Sequence, residues 1–117
     1  MAKVKVDPGQ CGMKTVIEVT KKDKGAYELR ITSPCDMAMK LAEEMPTLTS
    51  ADAFKKLLEN PVYKKGATCI RHVACPLPCA VLKALEVEAG FGVPRDVTIV
   101  FIHDEERQPR KTDKKHA

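Results

Sequence analysis

Five cysteines, Cys11, Cys35, Cys69, Cys75 and Cys79, are the residues of this 117-residue chain with the clearest capacity for chemistry. The run Cys69-x5-Cys75-x3-Cys79, with His72 between, places three thiols and an imidazole within eleven residues. Cys11 and Cys35 bring the supply to five thiolates, enough for an iron–sulfur cluster or a closed zinc site. A donor set made of thiolates tips the choice toward iron–sulfur, with zinc as the alternative. The spacing is neither the paired C-x2-C of zinc ribbons nor the ferredoxin run, so a site must be assembled from three separate chain segments. One competing reading is a single reactive thiol. Another is five small buried hydrophobes, since free cysteine is among the most buried residue types. Against the last, every cysteine falls in a turn, a loop or a helix start, and none in mid-strand.

Other chemistries find little support. Glu43, Glu44, Glu86, Glu88, Asp104, Glu105 and Glu106 belong to solvated helix faces or to the chain beyond the last apolar run, and no pair among them suits acid–base work. The sequence contains no G-x-x-x-x-G-K-[ST] and no G-x-G-x-x-G. His72 is a possible additional metal ligand, while His103 and His116 have no thiols beside them. The expectation is a binding or carrier protein rather than a hydrolytic enzyme.

Charge and composition narrow the partners. The net charge is +4, but residues 107–117 hold five Lys/Arg against one acid, which accounts for the whole excess. That basic, apolar-poor stretch reads as a disordered tail over 105–117 behind a domain over 1–104, and residues 1–106 are neutral overall, with no basic surplus that would bind nucleic acid. Aromatics are 4% of the chain with no tryptophan, which argues against a base-stacking surface. No run approaches the length needed to span a bilayer, and residues 1–7 alternate like a strand instead of forming a signal-peptide core. A cytoplasmic, reducing setting follows as the expectation, in which an odd number of cysteines favours metal or redox chemistry over disulfides.

The elements that must position the thiols are legible from periodicity. Val4 and Val6 alternate with lysines in a first strand, and Asp7-Pro8-Gly9-Gln10-Cys11-Gly12 forms a turn. Thr15, Ile17 and Val19 mark a second strand, Lys22-Asp23-Lys24-Gly25 a hairpin turn, and Tyr27, Leu29 and Ile31 a third strand. Ser33-Pro34-Cys35-Asp36 opens a helix that buries Ala38, Leu41, Ala42 and Met45. A second helix is predicted from Thr49 to Asn60-Pro61 with Phe54, Leu57 and Leu58 inward, followed by a loop over 62–74. A third helix follows Cys75-Pro76-Leu77-Pro78-Cys79 and stops near Gly90, and residues 97–102 read as a central fourth strand. The order β-β-β-α-α-α-β predicts a two-layer α+β sandwich, a mixed four-stranded sheet with helices on one face.

In such a meander the first turn and the end of the third strand share one end of the sheet, which puts Cys11 beside Cys35. Cys75 and Cys79 join them if the last strand runs parallel to the third. Cys35 and Cys79 fall at helix starts, where free amide hydrogens attract negative charge.

Cys75-Pro76-Leu77-Pro78, followed by a helix and an apolar strand, resembles the Cys-Pro-x-Pro motif of TusA-like sulfur carriers over residues 74–102. The resemblance implies that Cys75 carries a persulfide between a desulfurase and an acceptor. The motif lies late in this chain, the strands that normally follow it are missing, and four further cysteines are present. As a whole the chain resembles a family of small cysteine-containing proteins of anaerobic microbes that has no assigned activity. That likeness rests on Asp7-Pro8-Gly9-Gln10-Cys11-Gly12, Ser33-Pro34-Cys35 and Ala74-Cys75-Pro76-Leu77-Pro78-Cys79. Two functions stand as expectations: an iron–sulfur centre on the five cysteines for electron transfer, sensing or cluster delivery, or a persulfide carrier at Cys75. The partner would be a redox or sulfur-transfer protein.

Overall fold

The computed structural model describes residues 1–103. The basic stretch expected over 105–117, with His116, lies outside the described residues, as do Asp104, Glu105 and Glu106.

Three strands, β1 (Ala2–Val6), β2 (Thr15–Asp23) and β3 (Ala26–Thr32), form the expected meander. Pairing is antiparallel throughout, with Val4 opposite Ile17, Ile17 opposite Ile31 and Val19 opposite Leu29. The two-residue alternation sends Ile17, Val19, Tyr27, Leu29 and Ile31 into the core, while Lys3, Lys5 and Arg30 point to solvent. Gly25 closes the hairpin at φ +74°, a left-handed conformation that side chains with a Cβ rarely adopt.

The apolar sheet face is covered by α1 (Asp36–Glu44), α2 (Pro61–Cys69) and α3 (Leu77–Glu88), giving a two-layer α+β fold. α1 lies against β3 and α3 against β1 and β2, with α2 between the two helices. Leu41, Val81 and Leu85 are fully buried, each such side chain contributing about 1.5–3 kcal/mol of transfer free energy. Gly66 of α2 faces Pro78 of α3, and a Cβ there would stand 3.3 Å from the Pro78 ring, so the glycine sets how closely the two helices approach.

Several expectations are corrected. The fourth strand is β4 (Thr47–Thr49), paired antiparallel to β3, so the sheet is wholly antiparallel in the order β1-β2-β3-β4. Residues 97–102 form no strand, and Ile99 and Phe101 stand almost fully in solvent. Apolarity on both faces signals a need for cover; it does not say which chain supplies it.

The expected helix over 49–60 is a 3-10 turn, Ser50–Ala53, fixed by a capping box between Thr49 and Asp52. Phe54, Leu57 and Leu58 are exposed instead of inward. The helix falls where a loop was expected, over α2. Asn60-Pro61 starts it rather than stopping another, because proline at the first helical position gives up no bonded N–H and Asn60 Oδ1 accepts the amide of Val62 at 3.0 Å. α1 begins at Asp36, with Cys35 as its capping residue in place of Ser33. The Ser33 hydroxyl instead accepts the Cys35 amide at 3.0 Å.

Candidate functional site: a sulfur-lined cavity at one end of the sheet

The meander puts the β1–β2 loop and the β3–α1 junction at one end of the sheet, since Val6 pairs with Thr15 and Val16 with Thr32. α3 begins at that end too. Its far end is tied to the opposite end of the sheet, where Glu88 meets the Met1 amino group at 3.3 Å and accepts the Lys21 amide at 3.1 Å. Helix packing on β1 and β2 therefore fixes the position of Cys75, and the missing last strand plays no part.

Three of the five thiols meet there. Cys11, Cys35 and Cys75 line a cavity of about 300 Å³, together with His72, Met13 and Met37. Its remaining wall is mostly apolar, from Val6, Pro8, Ala38, Ile70 and Leu77, and no Asp, Glu, Lys or Arg lines it. Cys35 and Cys75 are half-buried and Cys11 is exposed at the rim. The other two cysteines are elsewhere. Cys69 is buried in the hydrophobic core at 6% exposure, and Cys79 is exposed beside a separate, smaller pocket with Tyr63, Lys83 and Glu86.

Local chemistry explains how each segment is held. In the Cys11 loop the Gly9 amide bonds Asp7 Oδ1 at 3.1 Å and the Gly12 amide bonds the Gly9 carbonyl at 2.9 Å. Gly9 and Gly12 both adopt left-handed φ, which makes this tight path available. The Thr15 hydroxyl donates to the Met13 carbonyl at 3.0 Å, so its 2.7 Å contact with Ser33 is one in which Ser33 donates. Ser33 in turn accepts the Cys35 amide, so a continuous hydrogen-bonded path joins the Cys11 loop to the Cys35 junction.

The Cys75 segment is fastened differently. The Cys75 amide closes a turn on the His72 carbonyl at 3.1 Å, and the Arg71 amide donates to Met37 Sδ at 3.5 Å, linking this loop to α1. Pro76 and Pro78 flank Leu77 at the α3 start, where they fix φ and remove two of the free amide donors. The Cys75 thiol is thus presented by a stiff backbone.

Among the described residues no three Cys, His, Asp or Glu side chains are grouped tightly enough to hold a single metal ion. The three thiols share a cavity at wider spacing. Tyr63 is the residue near Cys79 whose acidity is altered: burial pushes its pKa up from 10.0, and the Cys79 thiolate pushes it further.

Sequence reasoning missed the two thioethers. Their signal was present, because Cys11-Gly12-Met13 and Cys35-Asp36-Met37 repeat the pattern Cys-x-Met at the two junctions that share one end of the sheet.

The fold and site together define a small α+β protein with a cavity rich in soft sulfur donors. The chain belongs to a family of unknown function, DUF6951, whose sequence model matches residues 2–101. Neither a curated protein nor a solved structure matches it. No helix among the described residues is long and apolar enough to cross a membrane.

Proposed function

We propose that this protein holds an iron–sulfur cluster on Cys11, Cys35 and Cys75, with His72 as the nearest candidate for a fourth ligand. The reading is carried by one observation: thiols from three separate segments line a single cavity that has two thioethers and an imidazole and no carboxylate. Soft donors of this kind suit iron–sulfur chemistry, and an apolar wall limits solvent access to such a centre. Spacing argues in the same direction. Tetrahedral zinc would need its sulfurs roughly 3.8 Å apart, as follows from a Zn–S distance near 2.3 Å. The thiols of a polynuclear cluster stand farther apart, and those of this cavity are not grouped as a single ion needs. Cys69 and Cys79 leave the ligand set, because one is in the core and the other faces a different pocket.

The protein would then act in electron transfer, sensing or cluster delivery in the reducing cytoplasm, with a redox or sulfur-transfer protein as partner. Anaerobic reconstitution with iron and sulfide tests it. The expected product is coloured and contains both elements in the wild type, Cys69→Ala and Cys79→Ser. Cys11→Ser, Cys35→Ser and Cys75→Ser are expected to lose most of the bound iron. Zinc binding at the same three residues without iron uptake would move the site to the zinc reading, and a colourless, iron-free wild type would reject the cluster.

A second reading has its own support in the stiff, half-buried presentation of Cys75 between His72 and Pro76. As a sulfur carrier, the Cys75 thiolate would attack the outer sulfur of a desulfurase persulfide, forming Cys75–S–SH and releasing the desulfurase thiolate. Mass spectrometry after incubation with a cysteine desulfurase and cysteine would show one added sulfur on Cys75, and its absence would count against this reading.

A further inference from the structure

We infer that residues 97–102 are a strand donated in trans, each chain of a pair adding this segment to the free edge of β1 in the other. All six residues, Val97 to Ile102, are β-branched or aromatic and none is charged, a composition that fits a pleated strand. Yet Val97, Ile99, Val100, Phe101 and Ile102 are 57%, 86%, 70%, 94% and 54% exposed. A monomer rarely leaves so continuous an apolar surface in water. The family match extends through residue 101, so most of the segment falls within the region that the family model describes.

The acceptor is identified by elimination. The sheet has two edges, β1 and β4, and β4 has three residues against five in β1. β1 also lacks cover: its core-side residues Ala2, Val4 and Val6 remain half-buried, whereas Ile17 and Val19 on β2 are fully buried. One further strand beside β1 would pair its open backbone groups and complete that margin of the core.

The chain's own segment is not paired with this edge. After α3 the backbone turns at Gly90, φ +83°, and the Phe91 amide bonds the Glu86 carbonyl at 2.9 Å. The Phe91 ring then rests edge-on against Phe54, with centroids 4.6 Å apart. Phe54 directly follows the 3-10 turn that comes after β4, so this contact ties the chain leaving α3 to that turn. A second copy is therefore the occupant argued for, and reciprocal exchange closes the pair with two-fold symmetry and hides both apolar segments.

Sedimentation of the full chain, kept in reductant so that exposed thiols cannot crosslink it, tests the inference. The expected result is a species of twice the 12.9 kDa chain mass, converted to monomer by the double substitution Ile99→Asp/Phe101→Asp with unchanged far-UV circular dichroism. Hydrogen exchange on the wild type supplies a readout free of mutation: amides of 97–102 and of β1 should be protected at micromolar concentration and lose protection together on dilution. A monomeric wild type would overturn the inference, whether the segment is unprotected or is protected independently of concentration by returning to its own β1. A dimer that survives the double substitution would overturn it as well.

Discussion

At the residue scale, the five cysteines fall in three different surroundings that their common chemistry conceals. Cys69 is core packing, and replacing it by Ser would bury a hydroxyl and cost about 1–3 kcal/mol of stability. Chemical denaturation would report that loss, while the Cys69→Ala variant should retain metal uptake. Cys79 acts instead on Tyr63. With its pKa raised in the folded state, Tyr63 holds its proton more tightly than in the unfolded chain. Its contribution to stability is thus present below pH 10 and declines as the pH rises from there through the folded value. Carbon NMR of the Tyr63 ring should show a midpoint above 10.0 that Cys79→Ala lowers without restoring, because burial is the larger cause. The approach of Cys11 to Cys35 was legible from strand counting alone. The separation of Cys75 from Cys79 was not legible from a three-residue gap, because Cys75 lies just before α3 and Cys79 already on its first turn.

At the element scale, local signals succeeded where side-chain periodicity met an obvious turn, as in the hairpin at Gly25 and the α3 stop at Gly90. They failed at Asn60-Pro61, where the same dipeptide can stop one helix or start the next. The tertiary partners decide the matter. Asn60 is 2% exposed, caps α2 through Oδ1 and donates Nδ2 to the carbonyls of Asp52 and Lys55 at 2.7 and 3.1 Å. Asn60→Ala should cost about 2–4 kcal/mol, the sum of a lost cap and carbonyls left without a donor, measurable as a lower denaturant midpoint. Residues 54–58 have the apolar content of a helix face, yet Phe54, Leu57 and Leu58 stay exposed, Phe54 meeting the Phe91 ring, so they could not be told from core residues by pattern alone.

At the scale of the whole molecule, the sulfur cavity borders the hydrophobic core through Ala38 and Leu77, but the core does not depend on the cavity thiols. Ile17, Leu41, Val81 and Leu85 form a core without any of the three cavity thiols among its fully buried residues. The chain without metal should therefore fold, keeping its far-UV circular dichroism after chelation. A bound centre that joins the Cys11 loop, the α1 start and the α3 start would bind the native state alone and raise the melting midpoint, by about 4–8 °C for each kcal/mol gained. Equal midpoints with and without iron would contradict attachment to all three segments. The two-layer α+β architecture could be read from the sequence, because alternation and helical stripes define layers. The identity of the fourth strand could not, because the three residues Thr47–Thr49 are too few to show a period and the apolar run at 97–102 is the stronger signal.

The most direct test of the central claim is native mass spectrometry of the protein after reconstitution with iron and sulfide, kept free of oxygen throughout. The wild-type chain should gain the mass of an iron–sulfur cluster, and the triple variant Cys11→Ser/Cys35→Ser/Cys75→Ser should not. Recovery of the wild type at its apo mass, or an equal gain in the triple variant, would contradict a centre held by these three cysteines.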